Sequence, residues 1–441
     1  MRPRFTVAGC LTALALLSVT TLSQTKAPAE QYWGQWRGPD ATGVSKTAVP
    51  PLEWSETKNI RWKIEIPGRG SGSPVVWGDR VYLMTAVPVG LSGDAEHAPR
   101  GGIQPRVAHK FVVMAISRRD GKIVWERTVR EEAPHEGSHV DNGTWASSSA
   151  VTDGEHLFAF FESKGLYAFT MDGEILWSRD FGDKRMRNQF GEGSTPALHR
   201  NRLVVVWDQQ GGQSFVVTLD KRTGEELWRA NRSEIDTWAT PLVLEHEGQA
   251  QVVVPGQNRL RSYNLESGEI VWESAGLTMN PIPSPVAADG MVFATSGFQG
   301  NNLKAIKLDG ARGDITGTPS IVWTLDRDTP YVPSPILYDG LLYILKTNNG
   351  ILSTFDAKTG KPHYQGQRLT GVPNVFASPV GAAGRVYFAG REGTTLVIRN
   401  SPAFEVLATN VLDDGFDASP ALVDGEIYLR GHKFLYCIAG T

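Results

Sequence analysis

Short apolar stretches alternate with Gly-, Asp- and Asn-rich turns along almost the whole chain, a pattern of strands and tight hairpins rather than helices. One unit recurs. It starts at Ser/Thr-Pro and runs through an apolar strand, an Asp-Gly type turn and a second strand. A polar loop, a third strand, a glycine and a fourth strand ending near tryptophan complete it. The starts are Ser73-Pro74, Thr195-Pro196, Thr240-Pro241, Ser284-Pro285, Ser334-Pro335, Ser378-Pro379 and Ser419-Pro420, with Ser148-Ser149 filling one slot without proline. Counted from Ser73, with Ser148 as the second start, successive starts lie 75, 47, 45, 44, 50, 44 and 41 residues apart. A four-stranded antiparallel blade takes about 40–45 residues, so the spacing predicts propeller blades, the first carrying an insertion.

A second ruler comes from the fourth strand. Trp125, Trp177, Trp228 and Trp272 each stand four residues after a glycine (Gly121, Gly173, Gly224, Gly268), and Trp323 ends a further Ile-Val-Trp. The sixth unit substitutes Gly360 and Tyr364, and the seventh has degenerated around Leu407. The glycine suits the positive φ of a hairpin turn, leaving the indole to pack on the neighbouring blade. Eight starts need eight fourth strands, yet the last unit has none before Thr441. The missing copy is Asn59-Ile60-Arg61-Trp62-Lys63, so an N-terminal strand carrying Trp62 is expected to complete the C-terminal blade. The fold expected is an all-β, eight-bladed propeller over residues 59–441. Ring closure removes exposed sheet edges.

Composition refines this picture. Residues 1–29 have the order of a secretory signal: Arg2 and Arg4, an apolar stretch, then small and polar residues before Ala27-Pro28-Ala29. The chain is therefore expected to be exported, to the periplasm or beyond, with no membrane span once the signal is removed. Cys10 sits inside the apolar run and does not read as a lipidation site. Cys437 is then the one cysteine left and is expected in the core. With 44 basic and 47 acidic residues there is no basic excess to hold a phosphate backbone, which argues against nucleic acid. Residues 30–58, with Trp33 and Trp36, are too aromatic for a loose tail and are expected to pack on the ring.

The repeat resembles the PQQ-like propeller motif A-x-D-x-x-T-G-x-x-x-W. It reads T-L-D-K-R-T-G-E-E-L-W from Thr218 to Trp228, S-Y-N-L-E-S-G-E-I-V-W from Ser262 to Trp272, and T-F-D-A-K-T-G-K-P-H-Y from Thr354 to Tyr364. The resemblance covers residues 59–440. It implies kinship with quinoprotein alcohol and glucose dehydrogenases and with the outer-membrane assembly factor BamB, and fixes the fold more firmly than the function. The run from Trp36 to Ser45 looks like the start of uncharacterised exported members. The dehydrogenases are known for a vicinal cysteine pair and an oxygen-ligated calcium. One remaining cysteine excludes the pair, and no dense carboxylate loop marks a calcium site. Pyrroloquinoline quinone and Ca2+ therefore stay as a minor alternative, and no catalytic or cofactor residue is assigned.

In a propeller the loops leading into each first strand share a face with those between second and third strands. That face is expected to carry Trp145, Glu192, Asp208, Gln209, Trp238, Gln299, Asn301, Tyr331, Asn348, Phe376, Arg391 and Asp417. Amides beside aromatics suit sugars or peptide backbone, although Asn and Gln are also ordinary turn residues. The insertion Val87–His109 is expected to form a flap. His135 and His139 with Asp141 could ligate a metal, but their spacing is informative on a helix and this is a loop, so hydrogen bonding is the expected use. No nucleophile elbow, Walker loop or zincin motif occurs. The reading is an exported, monomeric, non-enzymatic binding scaffold. Its partner in the envelope is a protein or a polysaccharide. A divergent quinoprotein oxidoreductase and a carbohydrate-binding propeller are the alternatives.

Overall fold

The computed structural model describes residues 1, 3, 29–90, 107–139 and 143–440. The expected signal segment and most of the insertion flap lie outside them. The chain forms eight small sheets, each with a four-stranded antiparallel core. In blades one to seven, chain order runs from the innermost strand to the outermost. Blade one is Val75–Trp77, Arg80–Pro88, His109–Ser117 and Ile123–Glu132. The insertion lengthens its second and third strands, which stay paired as far as Pro88 and His109.

The last blade closes the ring as the spacing requires. Ala421–Val423, Glu426–Arg430 and Phe434–Ala439 are joined by the N-terminal strand Ile60–Glu65, with Trp62 opposite Cys437. Each fourth-strand indole then reaches the following blade. The Nε1 of Trp62, Trp125, Trp177, Trp228 and Trp323 donates to the carbonyl oxygens of Arg118, Met171, Lys221, Leu265 and Ala357. Gly224, at φ +71°, shows why the hairpin glycine is needed: a Cβ there would lie 2.7 Å from the Trp177 ring. Trp272 departs from this scheme. It is fully buried and donates to Gln251 Oε1 at 3.2 Å. The next blade lacks the glycine hairpin and instead lays Gly313–Asp314 parallel along the outer edge of blade four.

The Ser/Thr-Pro starts have a shared structural role. The backbone N–H of Ser73 donates to Ser149 Oγ, Ser149 to Thr195, Thr195 to Thr240, Thr240 to Ser284, Ser284 to Ser334, Ser334 to Ser378 and Ser378 to Ser419, at 2.8–3.2 Å. A belt of hydroxyls thus ties each inner strand to the next around the axis. Proline follows because the inner strand is a sheet edge, where a missing N–H removes an unpaired donor. In blade two the belt residue is Ser149 rather than Ser148. Ser148 instead donates to the Ser194 carbonyl at 3.1 Å.

Residues 33–45 form a strap across the axis. Trp33 pairs with Val76 of blade one, and the Gly34 carbonyl accepts from Thr152 of blade two. On the far side Val44–Ser45 run parallel to Gly381–Ala382 of blade seven. Between them Arg37, 2% exposed, donates to the carbonyls of Thr42, Pro335 and Pro379. These contacts fall further along the inner strands than the hydroxyl belt, so the strap closes the axial channel from the face opposite the lead-in loops. The segment continues outward, where Trp54 packs in the core shared with blades seven, eight and one.

Candidate functional site

An inner strand leaves every second residue facing the axis. The position two residues before the belt is Ser71, Ser147, Gly193, Trp238, Ile282, Val332, Phe376 and Asp417 in blades one to eight, and all of them line one cavity of about 380 Å³. Blades four to seven give it an apolar arc of Trp238, Ile282, Val332 and Phe376. Blades eight to three give a polar arc. Trp36 of the strap and six belt hydroxyls also line it, together with His139, Gly143, Phe190, Glu192, Tyr331 and Asn348.

Lead-in residues are held by their neighbours. The Trp238 indole donates to the Gly191 carbonyl at 2.7 Å. Tyr331 stacks on Phe298 with centroids 4.8 Å apart. Asp417 lies 3.2 Å from Arg391 Nε and 3.0 Å from His432 Nε2, and the Arg391 guanidinium covers the Phe376 ring at 4.4 Å. Asn348 Oδ1 accepts from the Val332 N–H at 3.0 Å. Glu192 accepts from the N–H and hydroxyl of Ser163. Burial, reinforced by the nearby Glu162, pushes its carboxyl up to about 8. Glu162 itself is buried against Lys184.

Of the residues expected on this face, Glu192, Trp238, Tyr331, Asn348, Phe376 and Asp417 line the cavity, and Arg391 braces it through Asp417. The others do not line it. Trp145 lies in a small side pocket, its indole donating to the Glu136 carbonyl and its ring 4.5 Å from His109. Asp208 forms a fully buried ion pair with Arg232 at 2.8 Å. Gln209 turns back on its own loop towards Gln213, and Gln299 is an exposed hairpin residue. Asn301 accepts from the N–H and hydroxyl of Thr329, both at 3.0 Å.

His135 and His139 are used separately. His135 Nε2 is 2.6 Å from the Lys184 carbonyl, whereas His139 lines the cavity beside Phe190. Asp141 lies outside the described residues. Among the described residues, Asp153, Glu155 and His156 come within metal-ligating distance of one another, as do His246, Glu247 and Asp309. In the first group Lys221 already pairs with both carboxylates.

Ser71, Ser147, Gly193, Ile282 and Val332 were not singled out by sequence, and the two-residue offset, applied to all blades from the correct start, finds all five; Trp36 was expected to pack on the ring and also lines the cavity.

The family model described as outer membrane protein assembly factor BamB matches residues 109–360 and 212–438. The chain belongs to the BamB family. Among curated relatives, BamB of Yersinia pestis is 24% identical over 261 residues, 55% of this chain and 59% of that protein. BamB of Bordetella pertussis is 27% identical over 50% of this chain and 54% of its own length. A quinoprotein ethanol dehydrogenase of Pseudomonas putida is 28% identical over 32% of this chain and 24% of that enzyme. The chain thus spans little more than half the length of the curated BamB relatives it matches there. In the solved structures the fold is shared with BamB of Moraxella catarrhalis, at TM-score 0.58 and 12% identity over 86% of this chain and 96% of that one. It is also shared with the quinohemoprotein alcohol dehydrogenase of Comamonas testosteroni, at TM-score 0.66 and 11% identity over 94% and 82%.

The lining of this BamB-family cavity does not suit the cofactor of a quinoprotein dehydrogenase. Its ionisable lining residues are His139, Glu192, Tyr331 and Asp417, and no lysine or arginine lines it among the described residues. An anionic quinone would meet no lysine or arginine on this wall. A hard cation needs several free oxygens converging on one point, and here Asp417 is bound to Arg391 and Glu192 to Ser163. The residues do not fit either group.

Proposed function

We propose that this protein is an exported scaffold in envelope or outer-membrane protein assembly, binding a protein partner rather than performing chemistry. The observation that carries this is the BamB family match over most of the propeller, joined to a wall whose charged groups are already engaged. The order of residues 1–29 supports export to the periplasm, and the expected form is a monomer. Among the described residues no helix is long and apolar enough to cross a membrane. Deleting the gene should lower the content of folded outer-membrane proteins, and cross-linking in intact cells should capture a protein partner. An unchanged outer-membrane profile with no captured partner rejects the proposal.

A second reading, a divergent quinoprotein oxidoreductase, is favoured by the ethanol dehydrogenase relative. The lining residues weigh against it. Equilibrium titration with pyrroloquinoline quinone and Ca2+ separates the two readings: saturable micromolar binding that is lost in Trp238→Ala would reverse their order.

A further inference from the structure

We propose that the axial cavity is a binding site for a neutral saccharide, with an apolar sugar face on the Trp238–Phe376 arc and sugar hydroxyls on the serine and threonine belt. The first support is the division of the wall. Trp238, Ile282, Val332 and Phe376 occupy four consecutive blades, and Trp36 forms the floor. Sugars present C–H faces and hydroxyl edges, and a wall that is apolar on one side and hydroxyl-bearing on the other matches both.

The second support is the state of the hydroxyls. Ser149, Thr195, Thr240, Ser378 and Ser419 line the cavity, and each accepts one N–H from the blade before it. A hydroxyl has one proton to give. Among the described residues none of these five donates it to a protein acceptor. Such donors are answered by water or by a ligand rich in oxygen acceptors, and an ordered polyol can replace several waters at once.

The third support is charge. Asp417 is paired with Arg391 and lies 3.0 Å from His432 Nε2, and burial pushes the Glu192 carboxyl up to about 8. Among the described residues no lysine or arginine lines the cavity to meet a carboxylated or phosphorylated ligand. A volume of about 380 Å³ is within the usual range for small-molecule sites and has room for the end of a short oligosaccharide. This site is independent of the assembly role, and either can fail without the other.

The test is a tryptophan-fluorescence titration of the purified full chain with cellobiose, maltose and chitobiose. Glucuronic acid serves as the charged comparison. A saturable response to at least one neutral disaccharide is expected, with Kd in the millimolar range or tighter. It should weaken at least about tenfold in Trp238→Ala and Phe376→Ser. Thermal melts establish that these variants are folded. If they are not, protection of Trp36 and Trp238 from N-bromosuccinimide oxidation by the same disaccharide, read by mass spectrometry, tests the site in the unaltered chain. The proposal is overturned by any of three results. These are no saturable response to any of the three up to about 100 mM, unchanged affinity in folded variants (or, where they do not fold, no protection of Trp36 and Trp238 in the unaltered chain), or tighter binding of glucuronic acid than of the neutral sugars.

Discussion

Glu192 is a carboxyl whose surroundings favour its neutral form. Burial and the neighbouring Glu162 push it up to about 8, and burial pushes Glu136 up to about 7. The native state therefore holds protons that the unfolded chain releases in the ordinary carboxylate range. That stability is complete at acid pH and is lost as pH rises through about 7 to 8. In Glu192→Gln the amide can still accept from Ser163 without ionising. Chemical denaturation should show the variant losing less stability than the wild type between about pH 5 and pH 8, by about 1 kcal/mol or more. An unchanged pH slope would show that Glu192 titrates like an exposed carboxyl.

Within an element, the hairpin glycines separate two costs that sequence shows as one. Gly224 and Gly310 share a positive φ, +71° and +74°. A Cβ at Gly224 meets the Trp177 indole, whereas one at Gly310 meets nothing within 4 Å. Gly310→Ala should cost only the backbone strain, about 1 kcal/mol. Gly224→Ala should cost about 2–4 kcal/mol by displacing the indole from the seam between blades two and three. Paired urea melts measure the difference, and equal losses would mean that the seam yields. The same elements show what could be read in advance. Ser/Thr-Pro and Gly-x-x-x-Trp are enforced by the backbone, at a sheet edge and at a tight turn, so the blades were legible. Side-chain destinations were less so. Without its proline the second start was placed at Ser148, and a one-residue slip in a strand turns a side chain to the other face. Trp145, three residues ahead of Ser148, was expected on the funnel wall, whereas the residue that lines it is Ser147, two ahead of Ser149. Nothing local in the sequence distinguishes an axial aliphatic such as Ile282 or Val332 from a buried one. Asp208 is polar in sequence, but its partner Arg232 comes from the outer strand of the same blade, 24 residues on.

At the scale of the whole molecule, two N-terminal pieces hold the ring. Trp62 joins the outer strand of blade eight to the Arg118 carbonyl of blade one. Trp62→Ala should cost roughly 3–5 kcal/mol and increase hydrogen exchange in Phe434–Ala439 before other blades. Uniform exchange would show that this seam is no weaker than the rest. The strap rests on Arg37, whose donors serve carbonyls from the inner edges of blades six and seven. Arg37→Met leaves those oxygens buried and unpaired, at a cost of about 1–3 kcal/mol each. The expected readout is protease cleavage within residues 33–45 while the propeller stays intact. A strap as resistant as the wild type's would show that Trp33 and the pairing of Val44–Ser45 hold it alone.

Pairing Ile60–Glu65 with Phe434–Ala439 also sets a timetable. During synthesis the strand that finishes the circle emerges before all the other blade strands, and its partner emerges last. Blades one to seven can fold in turn while that early strand waits without its mate. The slowest step of maturation should then be the meeting of the two ends, and a nascent chain halted short of Phe434 should remain an open arc.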